Sequence, residues 1–430
     1  MIFAQIIQSI FEIALAGAFA FSLVYFVITF VSLTNKTFIK PAEANYSLSK
    51  YPYITIQIPT FNELAAINCA KKCLDFNYPQ NKVQIIIGDD SSDQKISTQI
   101  KNFVKKNPKI IISRREKNYG YKPGNLNNML KKSSGEYILI FDSDFLPDKD
   151  FLLQIVQPVL KDPSLSGVQS GWKIINAQKN LSTLMGSGIV NVVHSILMPL
   201  MHDSTRHAIF CGSGELVKKS DIIDHGGWTE GSLTEDVDFS LRLISAGKRI
   251  EYLKDLKVNC ETPHTPKDLF LQQMRWAYGV VKSFLTHQKN LRQSKLTNKR
   301  VKFATLIWSA GYIMISLLLF SFVFGSLNMI FSALGFNPSE SASSSYSIGN
   351  FIYNTTLNLI LTGGMLLSSI VASFVNGFGL KSVGKLLFAT LTIGFICMFY
   401  VGRGIFSAFV GLPMNWYMLK KEGNNYHLNE

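Results

Sequence analysis

Long uncharged apolar stretches near both ends constrain this chain more than any other feature of its sequence. Residues 10–31 form an apolar run with one acidic residue, Glu12, near its start. This run is long enough to cross the roughly 30 Å hydrocarbon layer of a bilayer as a helix, and it lacks the basic start of a signal peptide. Further apolar stretches cover residues 303–334, 351–374 and 386–401. We therefore predict a retained N-terminal anchor and a C-terminal membrane block.

The distribution of charge predicts the side of the membrane on which the central region lies. The formal net charge is +14, and Lys and Arg are abundant from residue 36 to residue 302 but nearly absent before residue 36. The positive-inside rule then predicts a multi-pass membrane protein whose central region is cytoplasmic. A basic chain can also bind nucleic acid, but no zinc spacing, RNP-type aromatic motif or basic helix accompanies this charge. We therefore predict anionic lipid and a phosphate-bearing substrate as partners, and no nucleic acid.

The C-terminal block carries conflicting signals of orientation. The loop at residues 337–347 has no Lys or Arg and is predicted to lie outside the cytoplasm, whereas Lys381 and Lys385 predict a cytoplasmic connection. The tail at residues 415–421 is also basic, although three crossings after a cytoplasmic domain would place it outside. We therefore expect one of the apolar stretches to be re-entrant or to lie at the membrane interface.

The region from residue 53 to residue 259 alternates short apolar runs with helix-like stretches. Strands are predicted at residues 54–58, 83–87, 110–113 and 137–141, and helices at residues 63–74 and 122–132. This alternation is typical of a parallel sheet covered by helices on both faces. Ligands of such sheets bind beyond the carboxyl ends of the strands, so the candidate functional residues should follow the apolar runs.

Acidic residues follow two of these predicted strands. Asp89 and Asp90 follow the second strand, where they either cap the next helix or hydrogen-bond the base or ribose of a nucleotide. Asp142 and Asp144 follow the fourth strand. Residues two apart on an extended segment share a side, so both carboxylates can approach one Mg²⁺ or Mn²⁺ ion directly or through water. The sequence thus predicts a divalent cation beside a nucleotide.

Three later segments admit both a structural and a functional interpretation. Lys122, in a glycine-containing segment at a helix start, either belongs to a capping loop or contacts a pyrophosphate. Glu235 and Asp236 either cap a helix or include a general base. Arg275 and Trp276 are either interfacial residues or a diphosphate contact and a platform for a sugar ring.

In chain order these residues resemble the D, DxD, TED and QxxRW signature of processive family 2 glycosyltransferases. That family includes cellulose, hyaluronan, chitin, mannan and poly-N-acetylglucosamine synthases. The matching segments are Asp89-Asp90, Asp142-Ser143-Asp144, Thr234-Glu235-Asp236 and Gln272-x-x-Arg275-Trp276, with Phe210-Cys211-Gly212-Ser213-Gly214 similar to the acceptor-contacting segment of the family. The tail at residues 416–421 is weakly similar to the gating segment of the family, but it lacks the usual threonine, which argues against a gating role.

The resemblance implies a GT-A fold, an α/β Rossmann-like domain with a mostly parallel sheet flanked by transmembrane helices, and an inverting mechanism. It implies that Asp142 and Asp144 hold Mg²⁺ or Mn²⁺ and that Asp236, with Glu235, is catalytic. The residues implied to bind the nucleotide sugar are Asp89, Asp90, Lys122, Asp142, Gln272 and Arg275, and those implied to bind the acceptor are Trp276, Cys211 and Gly212.

We therefore predict four regions and one activity with an alternative. The regions are an anchor at residues 1–34, a cytoplasmic GT-A domain at 50–290, transmembrane or interfacial helices at 300–412, and a tail at 413–430. The predicted activity is elongation of a β-linked polysaccharide from a UDP- or GDP-sugar. The alternative is transfer of one or two sugars to a lipid, which would yield a glycolipid or a polyprenyl-phosphate sugar. A transporter is disfavoured because the membrane segments lack buried charge pairs.

Overall fold

Seven strands form one sheet at the centre of the chain. The computed structural model describes residues 2–34, 50–334, 348–417 and 419, so the predicted extracytoplasmic loop at 337–347 lies outside the described residues. Within them the strands are β1 (Ile54–Thr60), β2 (Val83–Asp89), β3 (Ile110–Arg114), β4 (Tyr137–Ile140), β5 (Leu165–Ile174), β6 (Glu215–Lys218) and β7 (Arg249–Cys260). Their order in the sheet is β3-β2-β1-β4-β6-β5-β7.

The sheet is mostly parallel, which confirms the predicted fold class. β1 pairs in parallel with β2 and with β4, and β2 pairs in parallel with β3. Only β6 among these strands is antiparallel to its neighbours, β4 and β5. Because parallel strands end at the same edge, the register that pairs Thr60 with Asp89 brings the residues after β1, β2 and β4 together.

Helices cover both faces of the sheet. Around the sheet they are α2 (Ala65–Leu74), α3 (Gln94–Lys106), α4 (Tyr121–Leu130), α5 (Phe151–Ile155), α6 (Gln157–Lys161), α7 (Leu181–Val192), α8 (Met198–Thr205), α9 (Lys219–Asp224), α10 (Glu235–Ser245) and α11 (Pro266–Gln293). A π-helical turn, Val193–Leu197, joins α7 to α8. On one face the buried isoleucines of β1, Ile54, Ile56 and Ile58, pack against α2 in a large apolar core.

The remaining helices form the apolar part of the molecule. They are α1 (Ile2–Thr34), α12 (Lys299–Ser309), α13 (Gly311–Ala333), α14 (Ile348–Leu361), α15 (Gly364–Val375), α16 (Leu380–Leu391) and α17 (Ile393–Val410). The predicted apolar stretch at residues 386–401 is not one helix, because the chain breaks at Thr392 between α16 and α17.

Four helical segments of the described chain are long and apolar enough to cross a membrane, namely α1, Leu181–Thr205, α13 and α17. The sequence analysis did not recognise Leu181–Thr205. Its apolar window is 72% buried within the protein, whereas that of α13 is only 6% buried. A segment covered by protein is a core element and not a lipid-facing one, so composition alone overstates its membrane character.

α14 and α15 together form a further apolar segment, bent by 61° at their junction. The bend frees the backbone N–H of Gly364, which donates to Ser22 Oγ of α1 at 2.8 Å. A methyl group at Gly364 would lie 2.2 Å from the carbonyl oxygen of Ser22, so α15 and α1 are in backbone contact here. Small residues and interhelical hydrogen bonds of this kind hold helices together where lipid supplies no hydrophobic drive.

α17 packs along α11 and does not contact only the other apolar helices. The rings of Phe270 and Tyr400 are 5.2 Å apart, and a methyl group at Gly404 would lie 2.4 Å from the carbonyl oxygen of Met274. At its start, Gly394 lies against Met185 of α7. α17 therefore contacts helices that surround the sheet, α7 near its start and α11 toward its end.

We expect Gly404→Ala to destabilise the protein, because the added methyl group meets a backbone carbonyl that cannot rotate away. Overpacking of this kind costs about 1–3 kcal/mol, so the thermal unfolding midpoint in detergent should fall by several degrees. Gly384→Ala is the matched control, since its added methyl group meets nothing within 4 Å on α16. Alanine there should leave the midpoint unchanged or raise it slightly. Equal midpoints for the two variants would contradict the close packing of α17 on α11.

Candidate active site

A cavity of about 400 Å³ lies at the carboxyl ends of β1 and β4 and extends to α11 and α12. It brings together most of the residues singled out in the sequence. Those that line it are Asp90, Lys122, Asp142, Asp144, Cys211, Gly212, Glu235, Asp236, Gln272, Arg275 and Trp276. Asp89 is the exception. These residues span about 190 positions of sequence, so their meeting in one cavity is a product of the sheet topology.

Asp89 is buried and hydrogen-bonded to other residues of the protein. Its side chain is 0% exposed, and its carboxylate accepts hydrogen bonds from Ser97 Oγ at 2.6 Å, Arg114 at 2.7 Å and the backbone N–H of Ser91 at 2.9 Å. Burial alone would raise the pKa of Asp89, but these hydrogen bonds and the Arg114 charge hold it below its usual value. The carboxylate is thus saturated by protein, and its predicted contact with a nucleotide has no support in this geometry.

Asp90, the next residue, does reach the cavity. Its carboxylate pairs with the guanidinium of Arg115, whose Nε lies 3.1 Å from Oδ1. Arg115 also donates to the carbonyl oxygens of Tyr119 at 2.6 Å and Tyr121 at 3.1 Å. The pair therefore ties the end of β2 to the loop before α4. Arg115 was missed in the sequence because nothing local distinguishes it from its neighbour Arg114.

Lys122 lies at the centre of the acidic cluster. Its Nζ is 2.8 Å from Asp142 Oδ1 and 2.9 Å from Glu235 Oε1, and it donates to the carbonyl oxygen of Gly212 at 2.7 Å. Burial would lower the pKa of Lys122, but the charges of Asp142 and Glu235 outweigh it and raise the pKa above its usual value. A permanent positive charge therefore joins the start of α4, the end of β4 and the start of α10.

Asp142 and Asp144 lie on a turn, which corrects the extended geometry expected from their spacing. β4 ends at Ile140, and the N–H of Phe145 donates to the carbonyl oxygen of Asp142 at 3.1 Å. Both carboxylates nevertheless line the cavity, with the Asp142 side chain 32% exposed and Asp144 accepting from the N–H of Glu261 at 3.4 Å.

These oxygen ligands fit Mg²⁺ or Mn²⁺, both of which favour carboxylates. Across the described residues no group of three or more His, Cys, Asp or Glu side chains is arranged to hold an ion. Two carboxylates are enough for such a cation only when water and substrate phosphates complete its shell.

Asp236 occupies an environment suited to a base. Burial raises its pKa to about 7, with a further contribution from the charge of Glu235, while Lys122 and Arg275 oppose the shift. A methyl group at Gly212 would lie 3.1 Å from Asp236 Oδ2, and the φ of Gly212 is +84°, so only glycine suits this position.

The capping interpretation of this segment fails for Thr234. The residue occupies the N-cap position of α10, yet its side chain makes no capping hydrogen bond and lies 3.3 Å from Ser283 Oγ instead. A buried carboxylate that the sequence analysis missed, Glu215, accepts from the N–H of Gly212 at 2.9 Å, and burial raises its pKa.

One face of α11 forms the opposite wall. Gln272, Arg275 and Trp276 line the cavity together, as the helical spacing of three and four residues requires. Arg275 donates to the carbonyl oxygen of Leu233 at 2.9 Å. Trp308 of α12 and Tyr312 of α13 extend the lining toward the apolar part of the molecule.

The C-terminal tail also enters the cavity. The ring of Trp416 stacks on Tyr121 at 6.1 Å, and the guanidinium of Arg275 lies 4.2 Å from its centroid. Tyr417 donates to Asp268 Oδ1 at 3.1 Å. The lack of the usual threonine argues against a gating role, and the structure places Trp416 between Tyr121 and Arg275. Residues 420–421 lie outside the described residues.

The family described as "Glycosyl transferase family group 2" matches residues 137–419, well over half of the 430 residues. This chain belongs to that glycosyltransferase family. A second description, "Glycosyl transferase family 2", matches residues 55–213 of the same glycosyltransferase. The resemblance inferred from the order of the motifs is confirmed.

Curated relatives of this glycosyltransferase include two from Arabidopsis thaliana. Glucomannan 4-beta-mannosyltransferase 2 is 29% identical over 279 residues, which is 62% of this chain and 50% of the relative. Glucomannan 4-beta-mannosyltransferase 9 is 31% identical over 262 residues, which is 59% of this chain and 48% of the relative. The glycosyltransferase thus spans about half the length of the relatives it matches.

A solved structure shares the fold of this glycosyltransferase. Mannosyltransferase PcManGT from Pyrobaculum calidifontis, in complex with GDP-Man and Mn²⁺, superposes with a TM-score of 0.60 at 18% identity, covering 86% of this chain and 98% of that chain. At this identity the likeness concerns the fold alone. It agrees with the GT-A architecture that the resemblance implied.

Two substitutions, made one at a time, should distinguish the roles of neighbouring carboxylates. Asp89→Asn should affect mainly stability, and Asp90→Asn should affect mainly nucleotide binding. Asp89→Asn removes the charge that Arg114 and two hydroxyl-bearing residues surround, so the free energy of unfolding should fall by about 1.5–3 kcal/mol. The folded Asp89→Asn protein should still bind a nucleoside diphosphate normally. Asp90→Asn should weaken that binding roughly tenfold, because one charged hydrogen bond is lost. Calorimetric titration and thermal unfolding measure both effects, and the opposite pattern would restore Asp89 as the ligand.

Proposed function

We propose that this glycosyltransferase transfers mannosyl residues from GDP-mannose to the end of a growing β-linked polysaccharide, with inversion. The observation that carries the proposal is the cluster of Lys122, Asp142, Glu235 and Asp236 in one cavity, since it combines groups for a diphosphate with a base. The names of the Arabidopsis relatives support a mannosyl unit, and the GDP-Man and Mn²⁺ in the complex of PcManGT support the donor and the cation.

On the donor side, Asp142 and Asp144 would hold the divalent cation. When bound, that cation neutralises charge that develops on the leaving diphosphate. Lys122 and, from the facing wall, Arg275 add positive charge to the cavity, so Lys122 exchanges carboxylate partners for phosphate oxygens when the donor enters. Asp90 and Arg115 lie beyond them at the end of β2, where the nucleoside of the donor would extend.

On the acceptor side, Asp236 would take the proton of the attacking hydroxyl. A carboxylate whose pKa is near 7 is a stronger base than an exposed aspartate and is still about half ionised at pH 7. Because Gly212 has no side chain, the carboxylate of Asp236 stays accessible. The acceptor would then lie along Cys211 and Trp276, whose indole offers a flat apolar face to a sugar ring.

We further propose that the catalytic region is cytoplasmic and that α17 lies at the interface without crossing the bilayer. The start of α17 contacts Met185 of α7, and Trp416, shortly after its end, lies in the cavity beside Arg275. Both ends of α17 are therefore on the catalytic side. α1 would cross before the catalytic region. The two later crossings, by α13 and by the α14–α15 pair, then return the chain to the side on which the catalytic region lies. This arrangement reconciles the basic tail with the positive-inside rule.

One observation favours a second candidate, transfer of one or two sugars to a membrane lipid. Trp308 and Tyr312 continue the lining of the cavity onto α12 and α13, toward the apolar block. A polyprenyl phosphate or glycolipid could present its head group along that route. The same route would also serve a polymer that leaves through the membrane, so the product distinguishes the two.

The test is the product of the purified protein with labelled GDP-mannose, UDP-glucose and UDP-N-acetylglucosamine, sized after lipid extraction. We expect chains that lengthen with time from GDP-mannose. We expect no transfer in excess chelator, because Asp142 and Asp144 are anionic and the leaving diphosphate needs the charge of the cation they would hold. A mono-glycosylated lipid without longer products would establish the second candidate instead. Activity that survives chelator would refute the cation site, and the absence of transfer from every donor would refute the proposal.

Asp236→Asn should lower kcat by roughly 10²-fold or more while donor affinity changes little, because the amide has no basic oxygen. In the wild type, kcat/KM should fall as the pH drops below about 7, since a protonated carboxyl cannot accept the acceptor proton. Asp238→Asn provides the comparison. Asp238 pairs with Arg242 and His287 outside the cavity, so its replacement should reduce thermal stability more than kcat. Equal losses of folding and activity in both variants would assign Asp236 a structural role.

A further inference from the structure

One histidine in the wall of the cavity has no place in the mechanism above. His194 is only 3% exposed, yet it lines the cavity together with Val190, Val193 and Cys211. It belongs to the π-helical turn Val193–Leu197, and such turns interrupt α-helices mainly at functional sites.

The hydrogen bonds around His194 determine which ring nitrogen carries the proton. The hydroxyl of Tyr252 donates its single proton to the carbonyl oxygen of His194 at 2.7 Å. The same hydroxyl lies 3.3 Å from His194 Nδ1, so it accepts there and Nδ1 is the protonated nitrogen. Burial, together with the charge of Lys257, lowers the pKa of His194 to about 3. The ring is therefore neutral, and Nε2 keeps a free lone pair.

Within the described part of the chain, His194 Nε2 has no protein hydrogen-bond partner. The ring cannot turn to find one, because Trp172 packs against it at 4.8 Å and Tyr252 at 6.3 Å. Trp172 is held in turn by a hydrogen bond from Nε1 to the carbonyl oxygen of Ser213 at 3.1 Å. Nε2 is also not among the buried unpaired atoms of the described residues, so its lone pair remains accessible in the cavity that the ring lines.

The chemistry of Nε2 limits what that ligand can be. A lone pair on a neutral ring accepts a proton and repels phosphate oxygens, which also carry only lone pairs. The diphosphate of a donor is therefore excluded, whereas a sugar hydroxyl fits. His194 is also joined through Trp172 to the segment Cys211–Ser213, which lies on the acceptor side of Asp236.

We propose that His194 binds the acceptor, its Nε2 accepting a hydrogen bond from one hydroxyl of the acceptor sugar. The proposal rests on the proposed function, because it presumes a sugar acceptor in this cavity. Tyr252 is then a positioning residue that holds the tautomer, and Trp172 holds the ring. Through this contact the protein would distinguish acceptors by the presence of a single hydroxyl, since a missing partner leaves a buried acceptor unpaired.

The first measurement is binding of mannotetraose, followed by tryptophan fluorescence and therefore independent of turnover. His194→Phe keeps a flat ring between Trp172 and Tyr252 but removes Nε2, so affinity for mannotetraose should fall roughly three- to ten-fold. His194→Gln places a carbonyl oxygen near the position of Nε2 and should recover part of the loss. Affinity for GDP should stay within about twofold in both variants, because no phosphate contact has changed.

The matched control is His202→Phe. His202 is also buried, lies on the same helical segment and approaches Glu251 at 3.0 Å, away from the cavity. If His202→Phe weakens mannotetraose binding as much as His194→Phe, the effect arises from packing of the segment and the proposal fails.

The second measurement identifies the hydroxyl. Mannotetraose analogues that each lack one hydroxyl should show a single analogue for which wild type and His194→Phe bind equally, because the contact is already absent. A uniform penalty across all analogues would overturn the proposal. Wild-type protein that binds mannotetraose but transfers nothing to it from GDP-mannose would refute the proposed function and leave the His194 contact supported. Wild-type transfer with unchanged His194→Phe binding would refute the contact alone.

Discussion

The ammonium group of Lys122 is the interaction on which the rest of the site depends. Four carboxylates, those of Asp142, Glu215, Glu235 and Asp236, lie in or beside one cluster, and burial raises the pKa of Glu215 and Asp236. Lys122 contacts two of them directly and also holds the carbonyl oxygen of Gly212. Without this charge the cluster would take up protons or open to water. The same charge is what an incoming diphosphate would meet.

A second constraint is the close approach of backbone to side chain at the catalytic end. Gly212 adopts a positive φ and lies beside both Asp236 and Lys122 with no room for a side chain. Its carbonyl and N–H are both engaged, by Lys122 and by Glu215. The loop before β6 is thereby locked against the start of α10. The distance between the proposed base, Asp236, and the proposed acceptor wall is thus set by backbone, which varies less than side-chain rotamers.

The apolar helices are part of the site, because Trp308 of α12 and Tyr312 of α13 line the cavity. α11 presents Arg275 to the cavity and is packed along its length by α17. The tail after α17 then returns to cover Arg275 with Trp416. Any displacement of α17 would therefore move the tail, so the packing of this helix and the shape of the cavity are mechanically connected.

The sequence by itself determined four of the seven strands in the described residues, the order of the acidic motifs and the chemistry they allow, because apolar periodicity and residue type are local properties. Tertiary structure alone decided that Asp90 faces the cavity while Asp89 is saturated by Arg114, since that choice depends on sheet register and on a distant arginine. It also decided that Asp142 and Asp144 meet on a turn, and that residues 386–401 break at Thr392. His194 belongs to no recognisable sequence motif. Its free nitrogen arises only where a π turn, Trp172 and Tyr252 pack around one ring.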